Sequence, residues 1–327
     1  MLNFIARRLV YMVITLFFIS IVSFILIELP PGSYLDAEIN RLRQMGGDLP
    51  QEQIRALEIR YGVNDPVYLK YWKWFSGVLR GDFGESFEFK TPVGSLIWGR
   101  LGFSVLLSFS SLLFSWLVSI PLGVYSATHR YTIPDYLITV LQFAGVAIPQ
   151  FLLALVLLVF ANRVLGMDVG GLFSPQYADA PWSWAKFVDF LKHVWVPIVV
   201  LAAGSTAWLT RVMRANLLDV LNMQYIQTAR AKGLKENIVI WKHAVRNSLH
   251  PLIMAAGGIL PALISGEVIA SIVLNLPTTG PLFINALLKQ DMYLAITFLM
   301  FLSLMLVIGN LLADLALAWV DPRIRLE

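Results

Sequence analysis

Six apolar runs, each about as long as a lipid bilayer is thick, constrain this chain more than any other feature. A helix needs about 20 apolar residues to cross roughly 30 Å of hydrocarbon. Runs of that kind lie near residues 9–29, 102–127, 136–164, 194–216, 249–274 and 293–319. A chain that is 57% hydrophobic and 14% charged could not bury so much apolar surface in water. We therefore predict an all-α protein with six transmembrane helices.

The first run is predicted to be a retained helix, so that residues 1–29 form the N-terminus and first span. Arg7 and Arg8 precede it, as basic residues precede the apolar core of a signal peptide. However, the run is too long for a signal peptide, and residues 28–31 lack the small side chains of a cleavage site.

The distribution of Lys and Arg predicts which ends of the helices face the cytoplasm. Basic residues cluster at the N-terminus, at 129–130, between 211 and 246, and in the tail 320–327. Short loops rich in Lys and Arg stay on the cytoplasmic side. Both termini are therefore predicted to be cytoplasmic, and the acidic loop 166–193 to be external.

The long external segment 30–101 is predicted to form a small helical cap. Asp48 and Gln51 can cap the start of one helix, which Gly62 would end. A second helix is predicted to begin at Asp65-Pro66 and to stop near Gly81. Its aromatic residues are expected to pack on the external ends of the spans rather than to bind a substrate.

The loop 217–248, between the fourth and fifth spans, carries the most informative local pattern. The sequence predicts a slim cationic helix over 222–233 that ends at Gly233, followed by a second short helix over 235–247. Such a projection could insert into a groove on a cytoplasmic partner. An ordinary basic loop that obeys the positive-inside rule would have the same composition, so both interpretations stand at this point.

Several stretches resemble a known family. Residues 225–234 and 243–251 look like the coupling motif of permease subunits of ATP-binding-cassette (ABC) importers, specifically the dipeptide, oligopeptide and nickel permease family. Further matches lie at 61–66, 81–86, 92–93, 148–151 and 321–325. The long segment after the first span is similar to that of the longer, B-type partner of such transporters.

The resemblance implies a function and a set of partners. The chain would form half of a peptide pathway in a bacterial inner membrane, together with a second, homologous permease. Residues 102–319 would be its five-helix permease core. Two cytoplasmic ATPase subunits would drive it, and an external solute-binding protein would deliver the cargo. The implied ATPase-coupling residues are Gln227, Thr228, Ala229, Arg230, Ala231, Lys232, Gly233 and Leu234.

Two positions depart from the family pattern. Gln227 stands where the coupling motif usually has Glu, which removes a charge that could pair with the ATPase. The loop after the fifth span has Thr278 where the family usually has Gly, and we expect this change to narrow the backbone freedom of the loop. The resemblance suggests an external gate at Pro277, Thr278, Thr279 and Gly280.

Polar residues inside the predicted spans are candidates for the translocation pathway, because such residues usually face a bundle interior or a water-filled cavity. They are Gln142, Gln150, Ser205, Thr206, Ser265, Glu267 and Ser271, with Asn310 and Asp314 in the last span. Glu267 either pairs with a polar group of a neighbouring helix or of the partner permease, or contacts cargo. Both interpretations remain open from the sequence.

Other functions have less support in the sequence. The chain has no Cys, its four His show no metal-binding spacing, and it lacks the Gly-rich loop that holds ATP phosphates. We therefore expect no catalysis and no cofactor in this chain, with ATP and Mg²⁺ bound by the partner ATPases, and no nucleic-acid partner. The alternatives are an ion-driven secondary transporter, which would need more midplane carboxylates and an internal repeat, and an importer of nickel chelates or oligosaccharides.

Overall fold

The computed structural model describes residues 2–29, 35, 39, 50–52, 54, 55, 59 and 65–320. Side chains are described for these residues except 2–5, 259–267 and 318–320. Regular structure within the described residues is helical, and their β-pairing is one isolated bridge between Glu85 and Pro92. The predicted all-α class is confirmed. The predicted cap helix over 48–61 lies mostly outside the described residues.

The helices are numbered in chain order. They are α1 (Leu2–Glu28), α2 (Val67–Val78), α3 (Val93–Thr128), α4 (Ile133–Ala147), α5 (Gln150–Leu165), α6 (Trp184–Leu221), α7 (Gln224–Ala231), α8, α9 (His250–Val273), α10 (Thr279–Leu288) and α11 (Met292–Val320). Helix α8 consists of three consecutive segments, α-helical Glu236–Ile238, π-helical Val239–Val245 and α-helical Arg246–Ser248.

Four helices among the described residues are long and apolar enough to cross a membrane. They comprise Ala6–Glu28, Val93–Thr128, Trp184–Leu221 and Met292–Leu317. The pair α4 and α5 would provide a fifth crossing if it is one broken span. Helix α9 covers the predicted fifth span, but its side chains from 259 to 267 are outside the described set. The arrangement with six crossings therefore stays a prediction.

The span predicted over 136–164 is divided by a sharp bend at Ile148-Pro149. Helices α4 and α5 meet at an angle of 109°. Ile148 has an extended backbone with ψ 121°, and Pro149 follows it. A residue before proline disfavours the helical conformation, and proline lacks the amide hydrogen that would continue the helix. Apolar composition continues through the bend, so the hydropathy of the sequence did not reveal it.

The chain divides into two compact units. The first contains Met1–Phe4, Phe103–Thr278 and Met305–Glu327. Helices α4, α5 and α9 pack against α6, which lies at its centre. The buried residues Leu209, Met213, Leu217 and Leu221 recur every four positions along α6, so they form one apolar face. Buried residues of α7, α8 and α9 pack against this face.

The second unit contains Ile5–Gly102 and Thr279–Leu304. Helix α2 has the predicted position, and Gly81, with φ +80°, lies in the turn that follows it. Tyr71 bonds Ser20 at 2.9 Å, and the ring of Phe75 contacts that of Phe17. Phe17 is about 17 Å from Glu28 along α1. The aromatic residues of α2 thus cover three turns of α1, from its end at Glu28 to Phe17 near the middle of the predicted span 9–29.

Asp291 organises the connection between α10 and α11 in this second unit. Its carboxylate is fully buried and accepts hydrogen bonds from the Ser86 hydroxyl, from Glu88 N at 3.2 Å and from Leu294 N at 3.5 Å. Burial raises the pKa of Asp291, and these hydrogen bonds partly oppose that rise. The residue therefore caps α11 and holds the turn 86–90 in place.

Two glycines of α3 provide a matched test of the packing. A Cβ on Gly123 would lie 2.7 Å from Met213 Cβ and 3.0 Å from Thr210 O, whereas a Cβ on Gly99 would meet nothing within 4 Å. We expect Gly123→Ala to lower the free energy of unfolding by about 1–3 kcal/mol through overpacking. Gly99→Ala should be neutral or stabilise by about 0.5–1 kcal/mol. Thermal unfolding in detergent measures both, and equal effects would contradict the close α3–α6 contact.

Candidate functional site

The elbow, defined as α7, the turn 232–235 and α8, is the feature predicted from the loop 217–248. Helix α7 ends as the sequence predicts, because Gly233 adopts φ +76°. Gly233 N donates to Arg230 O at 2.9 Å, and Leu234 N donates to Ala229 O at 3.3 Å. This pair of bonds is the Schellman arrangement that ends a helix with a left-handed glycine.

The two faces of α7 differ sharply. Ile226 and Ala229 are buried in the apolar cluster that includes Leu217 and Leu221 of α6. The remaining predicted coupling residues are exposed: Gln227, Thr228, Arg230, Ala231, Lys232, Gly233 and Leu234. The family motif groups these eight residues together, whereas in the structure Ala229 is buried and the other seven are exposed. Helix α7 is therefore fixed to α6 through one face and presents a polar, cationic face outward.

An ion pair crosses the turn of the elbow. Arg230 Nη2 donates to Glu236 Oε1 at 2.6 Å and Arg230 Nε to Glu236 Oε2 at 3.2 Å. The hydrogen bonds and charge of Arg230 lower the pKa of Glu236, and Glu236 in turn raises the pKa of Arg230. Both side chains are exposed, so the pair contributes little to overall stability. Its two bonds link the last turn of α7 to the first residue of α8 across the turn.

A second contact joins α7 to the far end of α8. Asn247 Nδ2 donates to Tyr225 Oη at 2.6 Å. Between the two contacts, α8 is a π-helix with Val239, Ala244 and Val245 buried. An open groove of about 930 Å³ lies beside the elbow, and its lining includes Tyr125, Arg130, Asn222, Arg230, Asn237 and Trp241. The elbow is thus attached at both ends and bordered by a concave surface of mixed polar and apolar character.

The pathway candidates are not gathered into one site by the described side chains. Ser205 and Thr206 of α6 both bond Ser115 of α3, at 2.8 and 3.2 Å. Gln142 is buried on α4, and its Nε2 has no hydrogen-bond partner among the described atoms. Gln150 is half-buried at the first position of α5. Ser115 was missed by the sequence analysis, although its spacing from the buried Ser108, Ser111 and Ser119 marks one face of α3.

The other candidates lie on α9 and α11. Ser265 and Glu267 are in α9 with side chains outside the described set, so the two interpretations of Glu267 stay open. Asn310 lies at a close helix crossing, since a Cβ on Gly257 would overlap its side-chain oxygen. Asp314 is half-buried on α11. Their roles in transport remain predictions.

The predicted gate residues occupy the connection from α9 to α10. Pro277 is exposed, whereas Thr278, Thr279 and Gly280 are buried. Thr278 Oγ1 donates to Ser271 Oγ at 3.0 Å, and Leu276 N donates to Ser271 O at 2.8 Å. Ser271, predicted as a pathway residue, thus bonds this loop to the end of α9. The left-handed position in the loop is Asn275, with φ +51°, so the chain needs no glycine at 278.

Comparison with known proteins defines the class to which this architecture belongs. Residues 119–326 match the family described as binding-protein-dependent transport system inner membrane component, and residues 1–108 match the N-terminal membrane component of such systems. The chain belongs to this family, the membrane-embedded permease subunits of ABC importers. The resemblance proposed from the sequence motifs is confirmed.

Similar proteins cover nearly the whole chain. The oligopeptide transport system permease protein AppB of Bacillus subtilis is 37% identical over 99% of both chains. A putative peptide permease protein of Brucella ovis is 33% identical over 99% of both chains. The nickel import system permease protein NikB of Staphylococcus aureus is 28% identical over 98% of this chain and 91% of its own length.

The bond between Thr278 and Ser271 predicts how firmly the connection from α9 to α10 is held. Thr278→Val keeps the shape of the side chain and removes the hydroxyl, so we expect the Leu276 amide to exchange its hydrogen about fivefold faster, as the loss of one hydrogen bond would allow. Thr278→Ser keeps the hydroxyl and should exchange like the original chain. Hydrogen–deuterium exchange with mass spectrometry measures the difference. Equal exchange in all three proteins would show that the bond does not hold the loop.

Proposed function

We propose that this chain forms half of the translocation pathway of an ATP-driven importer of di- or oligopeptides. In this proposal it crosses the inner membrane six times with both termini in the cytoplasm, and a second, homologous permease completes the pathway. Two cytoplasmic ATPase subunits bind ATP and Mg²⁺, and an external solute-binding protein delivers the cargo. The family places the chain among importer permeases, which argues against the ion-driven alternative.

The construction of the elbow is the observation that carries the proposal. Its outward face offers exposed amide, hydroxyl and cationic groups, whereas Ile226 and Ala229 attach it to α6. A force applied to the outward face by an ATPase would therefore act directly on a long membrane helix. Gln227 and Arg230 offer hydrogen-bonding groups on that face. Because Gln227 is neutral, the charges on this face are the positive charges of Arg230 and Lys232.

Peptide cargo is favoured by the relatives. The two that are named as peptide permeases, at 37% and 33% identity, are more similar than the nickel permease at 28%. Nickel chelates remain the second candidate, because the nickel permease also matches 98% of this chain.

Replacement of the glycine that ends α7 tests the coupling role. We expect Gly233→Pro to abolish ATP-driven uptake, because proline cannot adopt φ +76° and removes the amide that bonds Arg230 O. Gly166→Pro is the matched control, since Gly166 ends α5 with φ +65° and also donates its amide. Uptake in proteoliposomes and abundance in membrane fractions measure the effect. Normal uptake by Gly233→Pro, or equal loss in both variants, would contradict the coupling role.

Purification of the complex from its native membrane, through a tag on this chain, tests partners and cargo together. We expect a second permease and ATPase subunits to co-purify. In the presence of the binding protein, tri- or hexa-alanine should stimulate ATP hydrolysis by the reconstituted complex. Stimulation by Ni²⁺ with histidine instead of the peptides would transfer the assignment to nickel chelates. A chain that purifies alone, with no associated ATPase, would overturn the proposed coupling.

A further inference from the structure

A buried carboxylate joins three helices of the first unit near the elbow. Asp135, in the first turn of α4, is 2% exposed. It accepts hydrogen bonds from the Ser126 hydroxyl of α3, from Tyr131 N at 3.0 Å and from Arg214 Nη2 of α6 at 2.9 Å. Asp135 thus contacts α3, the turn 128–132 and α6 at the same time.

The surrounding helix contacts are close but apolar. A Cβ on Gly145 of α4 would lie 3.1 Å from Ala207 Cβ of α6, and a Cβ on Gly123 of α3 would lie 2.7 Å from Met213 Cβ. Small residues of this kind let helix backbones approach, but they provide no directional bond against sliding. The Asp135–Arg214 ion pair supplies directional bonds there, because a carboxylate and a guanidinium separate only at the cost of an unpaired buried charge.

Arg214 also lies on the route from the elbow to α4. It is two turns before α6 ends at Leu221, and α7 begins three residues later. The face of α6 with Met213 and Leu217 packs on Ile226 of α7. On the other side of the ion pair, Gln142 lies two turns along α4 from Asp135. A displacement of α7 would therefore reach α6 by packing and α4 through this pair.

We propose that Asp135 and Arg214 are positioning residues that make α4 move with the elbow, so that the motion driven by ATP reaches the bent α4–α5 segment. This role rests on the proposed coupling function of α7. Neither Asp135 nor Arg214 was among the pathway candidates predicted from the sequence. Without the ion pair, α6 would move with the elbow while α4 slides on its small-residue contact.

The first test measures cargo transported per ATP hydrolysed in the reconstituted complex, with hexa-alanine as the probe. We expect Asp135→Asn to lower this ratio about tenfold, a typical size for a coupling term, while ATP hydrolysis continues. Arg214→Lys keeps the charge but loses the planar fork, so its ratio should fall less. Asp219→Asn is the matched control, because it removes an exposed carboxylate from α6 and should leave the ratio unchanged.

The second test measures the motion itself. The chain contains no cysteine, so spin labels at Val140→Cys on α4 and Lys235→Cys in the elbow have no background from this chain. Both positions are exposed. Electron-paramagnetic-resonance distances should stay constant on ATP binding in the original chain and change in the Asp135→Asn background. A constant distance in both backgrounds would overturn the proposal.

The outcomes separate this inference from the proposed function. If the unmodified complex shows no ATP-driven uptake, the coupling function itself fails. If it transports and Asp135→Asn has the same ratio of uptake to hydrolysis, the positioning role alone is wrong. A parallel loss of uptake and hydrolysis would show that the pair only maintains the fold. If Asp135→Asn does not assemble, the Arg214→Lys variant is tested instead by the same two measurements, because the side chain at 214 is partly exposed.

Discussion

The apolar face of α6 is the contact on which the first unit depends. Leu209, Met213, Leu217 and Leu221 are all buried, and the elbow packs on the last part of this face. Short helices such as α7 are not stable alone in water, because the initial turn costs more free energy than so few hydrogen bonds return. Packing of Ile226 and Ala229 on α6 therefore provides the stability of α7 and also fixes its direction. Because this contact also stabilises α7, a displacement of α7 is expected to move α6 with it.

Local chemistry made several elements predictable. Gly233 and Gly81 mark turns because both adopt positive φ, and the start of α2 follows from Asp65-Pro66. The effect of Thr278 was harder to foresee. The loss of a glycine suggested restricted backbone freedom, but Asn275 takes the left-handed position and Thr278 gains a hydrogen bond to Ser271. Which residue of a loop adopts positive φ depends on the path of the chain, and that path is not encoded in a single position.

Contacts between distant segments were the part that the sequence could not supply. Asp135 was not among the pathway candidates, since it lies at the start of a predicted span and its partner is 79 residues away. Ser115 was missed for a related reason, because its bonds to Ser205 and Thr206 depend on the register of α3 against α6. A search for polar residues in apolar runs finds candidates, but only packing shows which of them bond each other.

The bend between α4 and α5 has a consequence for solvation. Each arm is too short to cross roughly 30 Å of hydrocarbon alone, and the helical ladder is interrupted between Ala147 and Gln150. Backbone groups released at an interruption cannot be exposed to acyl chains, because lipid offers no hydrogen bonds. If α4 and α5 form one broken span, water or a neighbouring protein surface must therefore reach the level of Pro149. In that case, the depth of Pro149 in the membrane is also the least depth to which a polar environment extends.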